Sequence, residues 1–527
     1  MNMRVRDCVF SIAALVTSLA VCAVSQAQQH PRDREIHDAD TLAWWHTTEA
    51  LSGDNMEGRD TGSAAYQRAA EYVAARFKSA GLEPAGEDGG FFQSVPMHEI
   101  AIVPEGTRFA LSRSDGSEAA LEVLKQITIA PAEGLPEKID APLTFRGYCG
   151  KEVMADIGGK VVVCFGTQRE HLPGSALRAA HAREGKALGI INVDDPYFTI
   201  EPPRWPYAYA RTVTLRSQSP AAPEPLATMR LNSAAFATLL LGSGQDAEAI
   251  LKAGGAKQPL PSFDIPAKFR AELQQRQQDI SSPNILARLP GADPKLAAEY
   301  VVIAAHLDGY GFGTPVNGDN LYNGTLDDAA YVALLIQMAE DIKSRKLRAP
   351  KRSILFAAFT GEEKGLLGSH WFVAHPTVPA AQLAADVNLD QLRPLFPLRI
   401  LTAEALSDST LGETARSVAA ALKIEIRPDA EPERNLLRRA DQYPFLTIHV
   451  PAISFIFGYD PNTDAERRYR EWYQIRYHRP QDDVTQPVDF AAAAKFDRFF
   501  YDLVEAIAND PARPRIYPSS PFAENTH

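Results

Sequence analysis

Two histidines and a group of carboxylates, spread over residues 306–478, are the residue types in this chain that could do chemistry together. His306-Leu307-Asp308 ends an apolar run, 301–305 (VVIAA), and Asp327-Asp328 follow the glycine-rich stretch GYGFGTPVNGDNLYNG. Glu362 and Glu363 stand in Gly361-Glu362-Glu363-Lys364-Gly365, directly after a second apolar run, 354–359 (ILFAAF). Asp390 ends a third run, 385–389, and His478 lies in Tyr477-His478-Arg479-Pro480. Imidazole and carboxylate ligands without cysteine suit zinc or a similar divalent ion in a catalytic site. Two such ions about 3.5–4 Å apart can share a bridging carboxylate and a bridging hydroxide, a known hydrolytic arrangement.

Taken singly, each residue has a plainer reading. Asp327-Asp328 could cap the helix expected over 331–343, Glu362-Glu363 could be a solvated pair, and His478 could be a surface histidine. Asp390 is the least easily dismissed, because a carboxylate ending an apolar strand must find a partner or lose its charge. His171, His181, His370, His375 and His449 lack such company and read as structural or exposed. The glycine-rich loop 309–318 lacks the Lys-Ser/Thr of a phosphate cradle, and no G-x-S-x-G elbow surrounds Ser369.

The elements that must position these residues alternate. Strands are expected at 284–289, 300–305, 354–359, 385–389 and 452–457, and helices at 331–343, 368–374, 411–422 and 490–507. This alternation predicts a three-layer αβα fold with a mixed, mostly parallel sheet, whose ligands sit at the carboxyl ends of its strands. The segments 284–289 and 300–305, joined through PGADPK, read as an antiparallel pair. Upstream, 64–80 carries apolar residues at helical spacing and stops at Gly81. From 106 to 272 the texture changes to short β-like runs separated by turns, with helical patterns at 176–188 and 233–241 and a proline-rich loop at 218–225. The division is a signal peptide at 1–27, an N-terminal part at 28–105, an inserted β-rich domain at 106–272, a catalytic part at 273–515 and a loose tail at 516–527.

With 527 residues, 45% apolar and 23% charged, the chain is of ordinary globular composition and long enough for more than one core. A formal net charge of −12 argues against nucleic acid or an anionic membrane as main partner. Arg4 and Arg6, the apolar stretch 9–24 and Ser25-Gln26-Ala27 read as a secretory signal cleaved near Ala27, so the mature chain is expected to be exported, periplasmic or extracellular. No later stretch approaches the roughly 18 apolar residues of a membrane span. Outside the signal only Cys149 and Cys164 remain; they could pair in an oxidising compartment or stay unpaired.

The motifs, in order, resemble those of the co-catalytic zinc exopeptidases that include bacterial leucine aminopeptidase and aminopeptidase Y. The family's HxD, NGxxD[DN]xSG, GEExGLxGS, LDM and YHxPxD are matched by His306–Asp308, 323–328, 361–369, Leu389-Asp390 and 477–482. The segment 57–62 extends the likeness, and 143–195 resembles the protease-associated domain often inserted in these enzymes. The resemblance implies two zinc ions per chain, with Asp327 bridging, His306 and Asp390 completing one site, and Glu363 and His478 the other. It implies Glu362 as general base for a metal-bridged hydroxide, Asp308 accepting the far N–H of His306, and a cis bond after Asp327. The implied activity is removal of N-terminal residues from peptides with a free N-terminus. Carboxypeptidases, glutaminyl cyclases and a non-catalytic binding relative of the same fold stand as alternatives. A carboxypeptidase would need arginines facing the substrate carboxylate, with Arg393, Arg399, Arg438 and Arg439 as candidates. Ala329-Ala330-Tyr331, Gln391 and Asp441-Gln442-Tyr443-Pro444-Phe445 depart from the family pattern without removing a ligand.

Overall fold

The computed structural model describes residues 30–166, 171–216, 225–344, 349–390 and 393–524. The expected signal at 1–27, Gln391 and most of the loop 218–225 lie outside them. Nine strands make the path of the larger sheet: β1 (Phe92–Ile102), β2 (Arg211–Leu215), β3 (Gln275–Leu289), β4 (Tyr300–His306), β5 (Ser353–Phe359), β6 (Leu383–Leu389), β7 (Ile400–Glu404), β8 (Glu425–Pro428) and β9 (Ala452–Gly458). Their spatial order is β8-β7-β9-β6-β4-β5-β3-β1-β2, and Glu83–Pro84 pairs onto β3.

β4 explains the layering. Its residues are buried on both faces, and they divide by parity: Val301, Ile303 and Ala305 join one apolar cluster, Tyr300, Val302 and Ala304 another. The first cluster takes in helices α1 (Ala39–Ser52), α2 (Ala64–Ser79), α3 (Ala330–Lys343), α5 (Leu411–Ala421) and α6 (Phe490–Asn509). The second takes in Phe372 from α4 (Leu367–Ala374) and Phe445 from the short helix Gln442–Thr447. Three layers result, as the alternation of helices and apolar strands predicts. α2 illustrates the local logic: Ser63 caps it by accepting the N–H of Tyr66, and buried Tyr66, Ala69, Ala70, Val73 and Phe77 recur at helical spacing. Past its end Gly81 adopts a positive φ of 84°, which lets Leu82 N–H reach back to the Phe77 carbonyl.

The sheet is mixed. β4 is parallel to both β5 and β6, and β6 to β9, whereas β3 runs antiparallel to β5 and to β1. The expected direct pairing of 284–289 with 300–305 is therefore corrected: β5 lies between them. A short connection suggests a hairpin, but a strand apolar on both faces belongs in the sheet centre, where it needs a neighbour on each edge.

Residues 108–272 carry a second, eight-stranded sheet with its own apolar cluster. Among its short strands are Glu118–Leu121 and Ile127–Ala130, separated where the chain turns back and Gln126 N–H bonds the Glu122 carbonyl. Cys149 and Cys164 form a disulfide. The segment 106–272 does not keep to itself, since β2, which is no part of the second sheet, pairs with β1 at the edge of the larger one. The described part of the expected tail, 516–524, is also fastened. Ile516 bridges to Ser409, Tyr517 N–H bonds the Asp408 carbonyl, and Phe522 packs against the second core cluster. Among the described residues no helix is long and apolar enough to cross a membrane.

Candidate metal centre

β4, β5 and β6 end side by side, so the loops that follow them converge. His306 is the last residue of β4, Glu362 and Glu363 follow β5, and Asp390 follows β6. Asp327 and Asp328 precede α3, joined by a cis peptide bond. Neither caps that helix; the backbone N–H of His306 donates to Asp328 Oδ2 at 3.2 Å instead. Two groups gather here, each with ligand atoms within 4.8 Å of one another: His306 with Asp328 and Asp390, and Asp327 with Glu363 and His478. The Asp327 carboxylate spans the two. Its Oδ1 lies 3.3 Å from His306 Nε2 and its Oδ2 3.3 Å from His478 Nε2, while Glu363 Oε2 lies 3.3 Å from the same His478 nitrogen. Glu362 Oε2 stands 3.9 Å from His306 Nε2.

The supports come from distant parts of the chain. Arg59 is fully buried and donates to four carbonyls, those of Leu51, Leu307, Asn323 and Gly324, pinning the loops that carry His306 and Asp327. Gly58 makes this approach possible: a Cβ there would lie 2.2 Å from the Tyr322 carbonyl oxygen. Asp482 accepts the backbone N–H groups of Leu326 and Asp327 at 3.0 and 3.1 Å. Tyr310 places its hydroxyl 2.9 Å from His478 Nδ1. Asp308 does not play the part expected of it. The carboxylate is 3.7 Å from His306 Nδ1, and the backbone carbonyl of Asp308, at 3.1 Å, takes that nitrogen. The carboxylate instead accepts from Thr61 Oγ1 at 2.9 Å and from the Glu362 N–H at 3.0 Å. With Nδ1 facing its own loop's carbonyl two residues on, the carboxylate is free to turn toward the next loop.

The electrostatics are those of a site crowded with acid. Burial pushes Glu362, Glu363 and Asp328 well above the ordinary carboxylate range, and neighbouring carboxylates add to it. Burial, reinforced by Asp327, lifts Asp390 to about 6. Asp327 goes the other way: burial opposes it, but Arg393, then His306 and His478, hold it well below. Burial draws His478 down to about 3. Among the described residues several buried atoms have no hydrogen-bond partner, including His306 Nε2, Asp327 Oδ2, Glu363 Oε1 and Asp390 Oδ1. Buried polar atoms are otherwise nearly always satisfied, so orphaned imidazole and carboxylate atoms in these groups suit a divalent cation in their chemistry.

The structure thus brings His306, Asp327, Glu362, Glu363, Asp390 and His478 together, as the motif order predicts, and adds Asp328. Of the arginines considered for a substrate carboxylate, Arg393 is buried against the Trp472 ring at 4.3 Å with Nη2 3.6 Å from Asp327, and Arg439 is bonded to Glu201. Arg399 and Arg438 are exposed. No sequence signal marked Tyr310, or the residues 201–211 that approach it from within the second sheet's segment. A further grouping, His30, Asp33 and His46, lies near the start of the described chain.

Residues 284–504 match the model of Peptidase family M28. A probable zinc metalloprotease of Pyrenophora teres f. teres (strain 0-1) is 26% identical over 250 residues, 45% of this chain and 50% of that protein. The chain spans about half the length of the curated relatives it matches. An aminopeptidase from Aneurinibacillus sp. strain AM-1 superposes with a TM-score of 0.60 at 17% identity, covering 93% of this chain and 98% of that one. A zinc aminopeptidase from Bacillus subtilis gives 0.55 at 17% identity, covering 90% and 96%. At these identities the likeness is one of fold: this chain has the αβα peptidase fold of those enzymes.

Proposed function

We propose that this chain, which belongs to peptidase family M28 through residues 284–504, is an exported zinc aminopeptidase. One observation carries the reading: Asp327 reaches a histidine with each of its oxygens, at 3.3 Å on either side, with Glu362 beside the cluster. His306, Asp327 and Asp390 would hold one zinc ion, and Asp327, Glu363 and His478 a second. When bound, the ions lower the pKa of water and stabilise charge on the carbonyl oxygen of the scissile bond.

The rest falls to the chain. Glu362 takes the proton of the attacking water and returns it to the leaving amine. Asp308 steadies Glu362 through the backbone N–H, while its carbonyl keeps a proton on His306 Nδ1 and so leaves Nε2 free to ligate. Tyr310 accepts from His478 Nδ1–H and does the same for the other histidine. A carboxylate of the centre would hold the free amine of the substrate. Export is supported by the signal-like first 27 residues and by the Cys149–Cys164 disulfide, which persists in oxidising compartments. Residues 106–272, with a sheet and core of their own, fit a protease-associated insert that shapes the cleft.

The test is a panel of aminoacyl-p-nitroanilides, N-blocked peptides and N-terminal glutaminyl peptides, offered to zinc-loaded and chelated protein. Hydrolysis confined to free N-termini, lost on chelation and restored by zinc, is the expected result. Cyclisation of the glutaminyl peptides, trimming from the carboxyl end, or no reaction at all would end this reading.

A further inference from the structure

A cleft of about 130 Å³ opens beside the centre, with His478 and Tyr310 as one wall. That is close to the roughly 150 Å³ known to admit a benzene ring, so it has room for one modest substrate group. Its other walls are cationic: Arg204, Arg230 and Arg479 line it, with Tyr207 between them. The single lining carboxylate, Glu201, is already saturated. It accepts from Arg439 at 2.8 and 3.0 Å and from Arg204 at 3.2 and 3.3 Å, and Arg434 lies 3.6 Å away. Arg230 is paired with Asp194 at 2.6 Å.

Arg479 differs from these. It is buried, and among the described residues its guanidinium donates only to the carbonyls of Trp205, Pro206 and His478, at 3.2 to 3.3 Å. Among the described residues no carboxylate comes within ion-pair distance of it. A buried guanidinium without an anion is costly unless something supplies one, and this one faces the cleft beside a candidate zinc ligand.

We propose that this cleft receives a carboxylate of the substrate, held by Arg479 and Arg204, so that the enzyme favours peptides presenting an anion beside the scissile bond. The inference rests on the aminopeptidase reading above. The carboxylate has two possible sources, an acidic N-terminal side chain or the free C-terminus of a very short peptide. Guanidinium recognises either by charge-assisted, bidentate hydrogen bonds.

Two substrate pairs separate the sources on the zinc-loaded full chain: glutamyl- against glutaminyl-p-nitroanilide, and leucyl-leucine against leucyl-leucine amide. In one pair the anionic member should show at least a tenfold higher kcat/KM. Arg479→Gln and, independently, Arg204→Gln should bring that ratio toward one; the second, partly accessible position serves if the first variant fails to fold. If leucyl-p-nitroanilide is cleaved while both ratios stay within threefold of one, the cleft proposal falls and the aminopeptidase reading survives. If nothing is cleaved, the reading of function falls, and titration of the zinc-loaded protein decides the cleft. The probes are L-glutamate against L-glutamine and acetyl-leucine against its amide. Tenfold tighter binding of one acid, lost in Arg479→Gln, supports the cleft; equal binding within both pairs overturns it.

Discussion

The carboxylate of Asp308 accepts the backbone N–H of Glu362 at 3.0 Å, tying the loop after β4 to the loop after β5 at the proposed base. Since the Asp308 carbonyl, not its side chain, faces His306 Nδ1, the two jobs can be separated by mutation. Asp308→Ala should lower kcat about tenfold to a hundredfold, the usual range for a supporting group beside a metal site, with zinc content unchanged. Activity assays paired with elemental analysis check this. Loss of zinc instead of rate would mean that the side chain acts on His306 after all.

Glu362→Gln keeps the shape of the side chain and removes its proton-accepting charge. Loss of a positioned general base costs about 10²–10⁴-fold in rate, so kcat should fall by that much while zinc binding and thermal stability hold. Retention of more than a tenth of the activity would move the base to another carboxylate of the cluster.

The convergence of part of the candidate centre was legible because its residue types recur at strand ends: His306, Glu363 and Asp390 each follow an apolar run that is a central strand. Such runs are local and need no knowledge of pairing. What was not legible is non-local. β3 and β4 are neighbours in sequence but not in space, because β5 enters between them, and nothing in PGADPK announces that. Whether Asp308 serves through its carboxylate or its carbonyl depends on a loop conformation, not on the residue type. The cleft walls from Glu201 to Ala208 lie in a segment that no motif marks, and their place beside the centre follows from β2, just downstream, pairing into the larger sheet.

The two oxygens of Asp327 make a second test possible. If each belongs to a different ion, Asp327→Asn should reduce zinc binding at both sites, and His478→Ala at one. Metal content measured after dialysis against dilute zinc should fall from two per chain toward none in the first variant and toward one in the second. Chelation of the unmodified protein should lower its thermal midpoint. A ligand held a thousandfold above its dissociation constant contributes about 4.1 kcal/mol of stability, which removal would forfeit. Equal loss in the two variants would mean that Asp327 is not shared.

Glu404 offers a pH test on a residue that is not one of the candidate metal ligands. It ends β7 with its side chain buried and Oε1 without a hydrogen-bond partner. Burial, aided by Asp429 and opposed by Arg434, raises it from 4.5 to about 7. Between those values the folded chain holds a proton that the unfolded chain has released, so this group's contribution to stability falls as pH rises through the window. At about 1.4 kcal/mol per unit the loss is on the order of 3 kcal/mol. Glu404→Gln mimics the protonated form at every pH. Relative to the unmodified protein it should be nearly neutral at pH 4.5 and gain stability up to about pH 7.5, then level off. Urea unfolding of both proteins across that range measures the difference directly, with the other titrating groups cancelling. A difference that does not change with pH would mean that Glu404 finds compensation on folding and keeps its ordinary pKa.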